Sequence, residues 1–448
     1  MGLNIVLSWI GLAAISYAQD PLELLGQIRE KIGDTIKRLP NYMCTQTVDR
    51  KALRLAGIDT WKGSPSCLTL IGAAGDEKKM ELFTADRLRL DVAIGDRSEM
   101  YSWVGEGQFG DQELSQLVKE GATATGAFGS FLDSIFVANN AEFAFKGESQ
   151  VSGRPVLQYT FRVPLAKSGY VVGNRGSNWL TGYSGVFSVD SKTLDLLTLE
   201  IQTPLLPVKS DMCQATTTLN YFAMRMNDAD FLLPSQVDTV IVNTNGTESH
   251  NHTVFKGCHQ FLGESKLIFD DKGPTEATGD GKAKVVNFRN GLKLSTALVQ
   301  NINLATAAAG DPIVGKLVRT VKDAETGLLI PKGAKLNGRI YQLRTSYGPV
   351  TSLEFGMKWE SIEWDGVSHP LSLELKTVDS SSANLPVDFV GGRRTMRERL
   401  PEILSNVRPD EPGVGFFTLP NIRKGYSIPS GFESNWVTVA VAPAATGK

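Results

Sequence analysis

Three histidines and a cysteine stand close together in the chain, and these residue types bind metal ions. They are His250, His252, Cys258 and His259. Alternate residues of a strand point to the same face, so His250, His252 and Cys258 could converge on one ion. Two of these histidines also follow a hairpin turn, where solvated polar side chains are ordinary, and a disulfide would remove Cys258 from the site. We therefore predict no metal site and no cofactor.

Other patterns that carry chemistry are missing from the sequence. It contains no Gly-x-Ser-x-Gly elbow, no P-loop, no dinucleotide fingerprint and no zinc-protease helix. Asp228 and Asp230 are neighbouring carboxylates, but they stand beside a turn and are explained as structural residues. We therefore expect a protein that is not an enzyme, and a hydrolase ranks last among the hypotheses.

The first residues are typical of an export signal. An apolar run from Ile5 to Ile15 precedes Ser16–Ala18, which places small residues where a signal peptidase reads them. We predict a signal peptide over 1–18 and an exported protein, periplasmic or extracellular, with no transmembrane segment in the mature chain. The alternatives are an N-terminal membrane anchor and a buried segment. A net charge of −2 gives no general attraction to nucleic acid.

Four cysteines in an exported chain predict two disulfides. Three pairings are possible. We favour Cys44 with Cys67 and Cys213 with Cys258, because the members of each pair fall on strands that could be neighbours, one of them predicted over Cys67–Ile71. The alternative is four buried free thiols.

The first half of the chain combines an amphipathic helix with many strands. Apolar residues recur at three- and four-residue steps over Leu22–Leu39, after the capping pair Asp20-Pro21. Alternating apolar and polar residues predict strands, most clearly at Leu157–Val163. Helical spacing returns in 111–137. The glycine-rich segment Gly169–Gly185 is interpreted as a long mobile loop over the concave face of the sheet, and a role as a lid is a hypothesis.

The second half has the pattern of nearly continuous strands. Leu328–Ile340 predicts a strand, a turn and a second strand: Pro331 ends pairing, Gly333 permits a positive φ, and Gly338 marks a close approach of backbones. The apolar parity flips after Trp359, which indicates a β-bulge or a bend.

A basic cluster follows, and it is interpreted as part of a helix over 392–406. Its arginines are Arg393, Arg394, Arg397 and Arg399. Acidic residues are interleaved with them, so a solvated helix face is the favoured explanation. The alternative is a docking surface for an acidic partner or a lipid head group.

From about Gln19 to Asp271 the chain resembles the LolA/LolB type of periplasmic lipoprotein carriers. The shared features are the export signal, the helix at Leu22–Leu39, a run of strands, an apolar helical pair near Phe128–Phe136 and a second run of strands. The resemblance implies a strongly curved antiparallel half-barrel sheet with helices on its concave face, and that face holds acyl chains in the family.

From about Gly291 to Lys376 the chain resembles the C-terminal β-barrel of TrbI-type conjugation and secretion channel proteins. The matching residues are Gly310, the segment Leu328–Gly338, and the stretch from Trp359 to Ile362. The resemblance implies a small antiparallel barrel that packs against neighbouring subunits in an envelope complex. We expect the cytoplasmic segment and membrane anchor of that family to be absent, so only the barrel is carried over.

The predicted fold is therefore mainly β with a few helices (α+β). We expect a signal peptide at 1–18, a curved-sheet domain at 19–271, a linker at 272–290, a second, small antiparallel β-barrel with the basic helix at 291–442 and a disordered tail at 443–448. The predicted function is non-enzymatic binding of an apolar ligand, a lipid or lipidated polypeptide, in the curved sheet. The predicted ligand-binding residues are Phe128, Phe131, Phe136, Leu157, Tyr159, Phe161 and Val163. The alternative is a structural module that docks an envelope protein through its C-terminal barrel.

Overall fold

The computed structural model of the chain describes residues 20–58, 65–76, 78–95, 98–106, 109, 113–174, 177–226, 229–260, 286–386, 388–390, 397–399, 403–406 and 408–439. The predicted signal peptide, the predicted tail and most of the predicted linker lie outside the described residues. Among the helices within these ranges, none is long and apolar enough to cross a membrane.

The first helix, α1 (Pro21–Arg38), confirms the amphipathic pattern. The Asp20 side chain accepts a hydrogen bond from the Leu22 N–H, and proline occupies the first turn, where its missing N–H is harmless. The apolar stripe is buried and faces the sheet through Leu25, Ile28, Ile32 and Ile36. Three further α-helical segments of the described residues are short: α2 (Cys67–Ala73), α3 (Leu114–Leu117) and α4 (Ser130–Leu132), the last continuing as a π-helical turn over Asp133–Val137. Short 3-10 helices lie at Leu165–Lys167, Val208–Ser210 and Ser380–Ala383.

Twelve strands follow in the part of the first half that the structure describes. They are β1 (Tyr42–Leu55), β2 (Met80–Gly95), β3 (Ser98–Trp103), β4 (Glu142–Val151), β5 (Arg154–Val163), β6 (Val171–Asn174), β7 (Ser177–Leu180), β8 (Tyr183–Asp190), β9 (Leu196–Gln202), β10 (Met212–Met226), β11 (Ala229–Asn243) and β12 (Thr247–Gln260). Ten of them pair antiparallel in the order β3-β2-β1-β12-β11-β10-β9-β8-β5-β4. The sheet is curved and is not closed into a barrel, as predicted.

The concave face of this sheet is the face that carries α1 and α4. Its strands and helices contribute to one large apolar core, in which Ile28 and Ile32 of α1 meet Phe136 and the strand residues Tyr159 and Phe187. The rings of Tyr159 and Phe187 are stacked with their centroids 5.3 Å apart. The β6–β7 hairpin forms a separate two-stranded sheet within the glycine-rich segment.

The predicted disulfide pairing is wrong, because the bonds are Cys44–Cys258 and Cys67–Cys213. The strands β1 and β12 pair with Tyr42 opposite Gln260, which brings Cys44 and Cys258 together at a register shift, with their Cα atoms 4.1 Å apart. Residues Cys67–Ile71 are helical rather than a strand. Ser66 caps α2, which packs against β10 and β11 and so presents Cys67 to Cys213.

Fifteen strands make up the second half of the described chain. They are β13 (Lys293–Leu298), β14 (Ile302–Asn303), β15 (Pro312–Leu317), β16 (Val321–Lys322), β17 (Leu329–Ile330), β18 (Lys335–Ser346), β19 (Ser352–Trp364), β20 (Val367–Pro370), β21 (Leu373–Val378), β22 (Asp388–Val390), β23 (Arg397–Arg399), β24 (Leu404–Asn406), β25 (Val414–Leu419), β26 (Ser427–Ile428) and β27 (Glu433–Thr438).

The second half is curled around its own core. Seven strands pair antiparallel in the order β21-β27-β13-β15-β18-β19-β25, and the two ends of this row approach each other. A Cβ atom placed on Gly415 of β25 would lie only 2.8 Å from the Leu375 Cβ of β21. The two halves of the molecule are joined where β18 pairs with β2, with Arg344 opposite Asp86.

The pattern at Leu328–Ile340 is confirmed. Strand β17 ends before the turn, Gly333 has a φ of +88°, and β18 begins at Lys335. A Cβ on Gly338 would lie 2.2 Å from the Lys358 carbonyl oxygen, so only glycine fits there. The predicted bulge is also present, since Gly338 pairs with Trp359 but Asn337 pairs with Ser361.

The helix predicted over 392–406 is wrong for the residues that the structure describes. Arg397–Arg399 and Leu404–Asn406 are strands β23 and β24, paired with β22 and β25. Pairing with neighbouring strands has overridden the local preference for helix. Arg393 and Arg394 lie outside the described residues.

Candidate functional site

A large cleft lies over the concave face, between the segment that carries α3 and α4 and the β6–β7 hairpin. Its volume is about 770 Å³. The walls include the aromatic rings of Phe131, Tyr170 and Tyr183, and the floor includes Thr217 and Thr239, whose hydroxyl oxygens are 3.3 Å apart. Burial raises the pKa of the Tyr170 and Tyr183 hydroxyls. The cleft therefore presents apolar surface with hydroxyls that stay neutral at physiological pH.

A second, smaller pocket of about 290 Å³ lies at the end of α1. Its walls are mostly apolar and are formed by Ile36, Leu39, Ile94 and Phe128. Glu99 and Ser130 line both this pocket and the large cleft. The two cavities are thus adjacent on the concave face.

Residues 124–131, here called the cover segment, separate the two cavities. Phe128 packs edge-on against Phe255 at 4.6 Å, and Phe131 packs edge-on against Tyr170 at 5.4 Å. Both rings also border a small void beneath the segment, which is lined by Leu219 and other residues of the sheet. The rings of the cover segment therefore occupy the space between the two cavities.

Glu99 holds the cover segment on the sheet. Its carboxylate accepts hydrogen bonds from the Gly126 N–H at 2.8 Å, the Phe128 N–H at 3.0 Å and the Tyr101 hydroxyl at 2.5 Å. Burial, and then the nearby Glu99 charge, raise the pKa of Tyr101 well above its ordinary value. The same two causes, in the same order, raise the pKa of Tyr221. These hydroxyls remain protonated, so the Tyr101 hydroxyl stays a donor to Glu99.

The seven predicted ligand-binding residues all belong to the apolar core of the concave face. Phe128 and Phe131 border the cavities. The others are packed inside the core: Phe136, Leu157, Tyr159, Phe161 and Val163 are all buried there. The odd-numbered residues of β5 are therefore the ones that face inward, and the Tyr159 hydroxyl donates to the Pro21 carbonyl of α1 at 2.9 Å.

The sequence interpretation missed most of the cleft walls. Tyr170 and Tyr183 belong to the glycine-rich segment that was expected to lie over the sheet. Their aromatic side chains were the only feature of the sequence that could have marked them as cleft residues. Thr217, Thr239 and Met212 lie on long strands and carry no local signal. Among the described lining residues of the large cleft there are hydroxyls and the carboxylates Glu99 and Glu113, but no histidine, lysine or cysteine.

The structure does not bring His250 and His252 together with Cys258, because Cys258 packs against the core of the curved sheet and the two histidines do not belong to that core. Within the described ranges, no group of three or more histidine, cysteine or acidic side chains is arranged to hold a metal ion. Cys258 is in a disulfide, His250 Nε2 lies 2.7 Å from Glu248, and His252 Nδ1 lies 2.6 Å from Asp238. His250 and His252 line a cleft between the two halves of the chain instead.

Comparison with known proteins gives structural neighbours only. No family model matches the sequence, and no curated protein matches it. A putative outer membrane lipoprotein-sorting protein domain from Vibrio parahaemolyticus is similar over 55% of this chain and 95% of its own, with 11% identity and a TM-score of 0.28. A DUF1329 family protein from Desulfovibrio piger is similar over 56% and 98%, with 10% identity and a TM-score of 0.27.

A LolA superfamily protein from Nitrosomonas europaea is similar over 55% of this chain and 98% of its own, with 9% identity and a TM-score of 0.25. All three similarities cover nearly the whole of the neighbour and about half of this chain. None of these three neighbours is named as a conjugation or secretion channel protein, and the TrbI-type resemblance of the second half stays a prediction.

Proposed function

We propose that this protein is an exported, non-enzymatic carrier that binds an apolar ligand, a lipid or a lipidated polypeptide, on the concave face of its curved sheet. The observation that carries the proposal is the pair of adjacent cavities on either side of Phe128 and Phe131. The smaller pocket is mostly apolar, and the large cleft combines aromatic walls with hydroxyls and the carboxylates Glu99 and Glu113. Clefts of several hundred Å³ that combine apolar walls with polar groups are typical of small-molecule sites. The two disulfides agree with an oxidising compartment such as the periplasm or the exterior.

The ligand would replace aromatic rings of the cover segment. Phe128 and Phe131 fill the gap between the cavities, so an acyl chain that spans both would displace them. The polar contacts of the segment with the sheet include two backbone N–H groups that donate to Glu99 and the Ala127 carbonyl, which accepts from the Tyr221 hydroxyl.

Docking of an envelope protein through Leu328–Arg344 is less well supported. Arg344 at the end of that stretch is already paired within the chain, at 2.6 Å from Glu120 and 2.5 Å from Glu354. Leu336 and Ile340 are buried in the core of the second half. Most apolar side chains of the stretch therefore pack inside the molecule and are not available to contact a partner.

The test is native mass spectrometry and organic extraction of protein purified from the cell envelope, together with titration of a fluorescent fatty acid. Ser130 is exposed on the rim of both cavities, so Ser130→Trp should obstruct them and weaken probe binding by at least tenfold without changing the unfolding temperature. The matched control is Ser368→Trp, an exposed strand position of the second half. Repeated absence of bound lipid, with equal probe titrations for all three proteins, would contradict the proposal.

A further inference from the structure

Two loops at one end of the curved sheet expose large apolar side chains side by side. The first loop is 164–182, which includes the β6–β7 hairpin, and the second is 203–210, which precedes β10. We call their exposed apolar surface the hairpin patch. It consists of residues that are between 48 % and 76 % exposed: Leu165, Val171, Leu180, Leu205 and Val208.

The patch is continuous because its members are backbone neighbours. Val171 and Leu180 are opposite each other in the β6–β7 ladder. A Cβ on Gly182 would lie 3.0 Å from the Leu165 nitrogen, so Leu165 adjoins the end of the hairpin. The turn that carries Val208 also contacts β7.

The loops beneath the patch are firmly packed. Val172 is buried together with Leu206 and Met212, and Tyr170 and Trp179 pack against this small cluster. The exposed side chains are therefore presented outward by a supported surface, and their exposure is not explained by poor packing of the loops. Exposed apolar groups of this kind mark surfaces that bind a partner or a membrane.

The charge of the two loops selects the kind of partner. In sequence, 164–182 and 203–210 contain Lys167, Arg175 and Lys209 and no acidic residue, in a chain with 48 acidic residues and a net charge of −2. Lys167 and Lys209 are exposed next to Leu165 and Val208. Apolar side chains flanked by basic ones suit the surface of an anionic bilayer. The apolar side chains can insert among the acyl chains, and the basic side chains are attracted to the anionic headgroups.

We propose that the hairpin patch docks the protein on anionic lipid bilayers. Tyr170, Val171 and Val172 also line the large cleft, so docking would turn the mouth of that cleft toward the lipid. This surface goes beyond the proposed carrier function, since docking does not require that the cleft holds a ligand.

The experiment is flotation of the purified chain with vesicles of phosphatidylcholine alone and of phosphatidylcholine with 30 mol % (roughly a third) phosphatidylglycerol, the second composition supplying the anionic surface. The wild-type protein should float with the anionic vesicles, and high salt should weaken binding. Leu180→Asp with Val208→Asp should reduce the bound fraction at least about tenfold, since charged groups are excluded from the acyl region. The matched control is Leu329→Asp with Val350→Asp, at similarly exposed positions of the second half.

A second pair of variants tests the electrostatic part. Lys167→Glu with Lys209→Glu should weaken binding to anionic vesicles by about fivefold or more for each residue, and should leave binding to neutral vesicles unchanged. Lys332→Glu, at an exposed turn of the second half, is the control.

Three outcomes would overturn the docking proposal. One is wild-type protein that floats with neither kind of vesicle. Another is equal flotation of the patch variants and their controls, given that thermal unfolding shows all of them folded. The last is a wild-type dimer in sedimentation velocity that Leu180→Asp with Val208→Asp dissociates, because a second copy of the chain would then cover the patch. Lipid extraction from the cleft is measured separately, so failure of docking and failure of the carrier function are distinguishable.

Discussion

The two halves of the molecule cover their apolar sheet faces in different ways. In the second half the strands fill their own core: Trp359 and Trp436 are almost fully buried, and glycines make room for their rings. A Cβ on Gly315 would lie 2.5 Å from the Trp359 ring, and one on Gly415 would lie 2.3 Å from the Trp436 ring.

In the first half, added segments cover the sheet. The helix α1, the cover segment and the β6–β7 hairpin each lie on the concave face, and cavities remain between them. The comparison teaches that the interior of a sheet filled by its own side chains cannot open without unfolding of the strands. A sheet that is covered by separate segments has an interior that those segments can open.

The largest expected effect is the loss of a tryptophan from the self-filled core. Trp359→Ala should lower the free energy of unfolding by about 3–5 kcal/mol, the usual cost of removing a large buried aromatic side chain. Phe131→Ala on the cleft wall should cost less, because the adjoining cavity already leaves part of that ring without partners. Chemical denaturation followed by hydrogen exchange of peptides from each half measures both. An equal or greater cost for Phe131→Ala would break the distinction between the halves.

The next effect concerns the disulfide that joins β1 to β12 of the curved sheet, at the Tyr42–Gln260 end of their pairing. Cys44 and Cys258 close a loop with a sequence separation of 214, so Cys44→Ala with Cys258→Ala should lower stability by about 2–5 kcal/mol. Hydrogen exchange in β1 and β12 should accelerate most. Peptides of β18 and β19 serve as the internal control, and an equal acceleration there would show that the halves unfold as one unit.

The fold was predictable where local patterns decide it, and the disulfides show where prediction ended. The helix cap at Asp20, the alternation in β5 and the turn at Gly333 are local features, and the structure confirms them. Cys44 pairs with Cys258 because β12 returns beside β1 after more than two hundred residues. No local sequence pattern predicts this long-range pairing. The pairing of β24 with β25 was likewise not predictable from local sequence, and β24 was expected to be helical.

The candidate site was predictable in part for the same reason. Aromatic residues at helical spacing predicted short helices that include Phe128 and Phe131, and the resemblance to lipoprotein carriers implied that such helices lie on a concave face. The cleft itself arises where the hairpin and the cover segment stop short of each other, above Thr217 and Thr239. A gap of this kind depends on the relative placement of segments that are distant in sequence, and it has no signature of its own.

A smaller effect is expected at the contact between the halves. Glu120, from the segment that leads into the cover segment, lies 2.6 Å from Arg344 and 3.1 Å from Arg408. A double-mutant cycle with Glu120→Gln and Arg344→Met should give a coupling energy of about 1 kcal/mol, because the two side chains share one network. The exposed pair Lys335–Glu363 is the control, and its coupling should be near zero. A near-zero value for Glu120 and Arg344 as well would mean that the second half does not anchor that segment.

The smallest effect is a pH dependence confined to the second half. Burial lowers the pKa of His369, whose Nδ1 accepts the Val286 N–H at 3.1 Å and whose ring lies 3.9 Å from the Trp364 ring centroid. The folded state therefore favours the neutral imidazole, and the unfolded chain takes up a proton first, near pH 6.5. Stability contributed by His369 is complete above that pH, falls as the pH decreases below it, and levels off below the folded pKa. Hydrogen exchange of peptides from β19 and β20 should accelerate over this range, and His369→Gln should flatten the response. If the pH dependence of hydrogen exchange is unchanged in that variant, another group causes it, and protonation of His369 beside Trp364 does not affect stability.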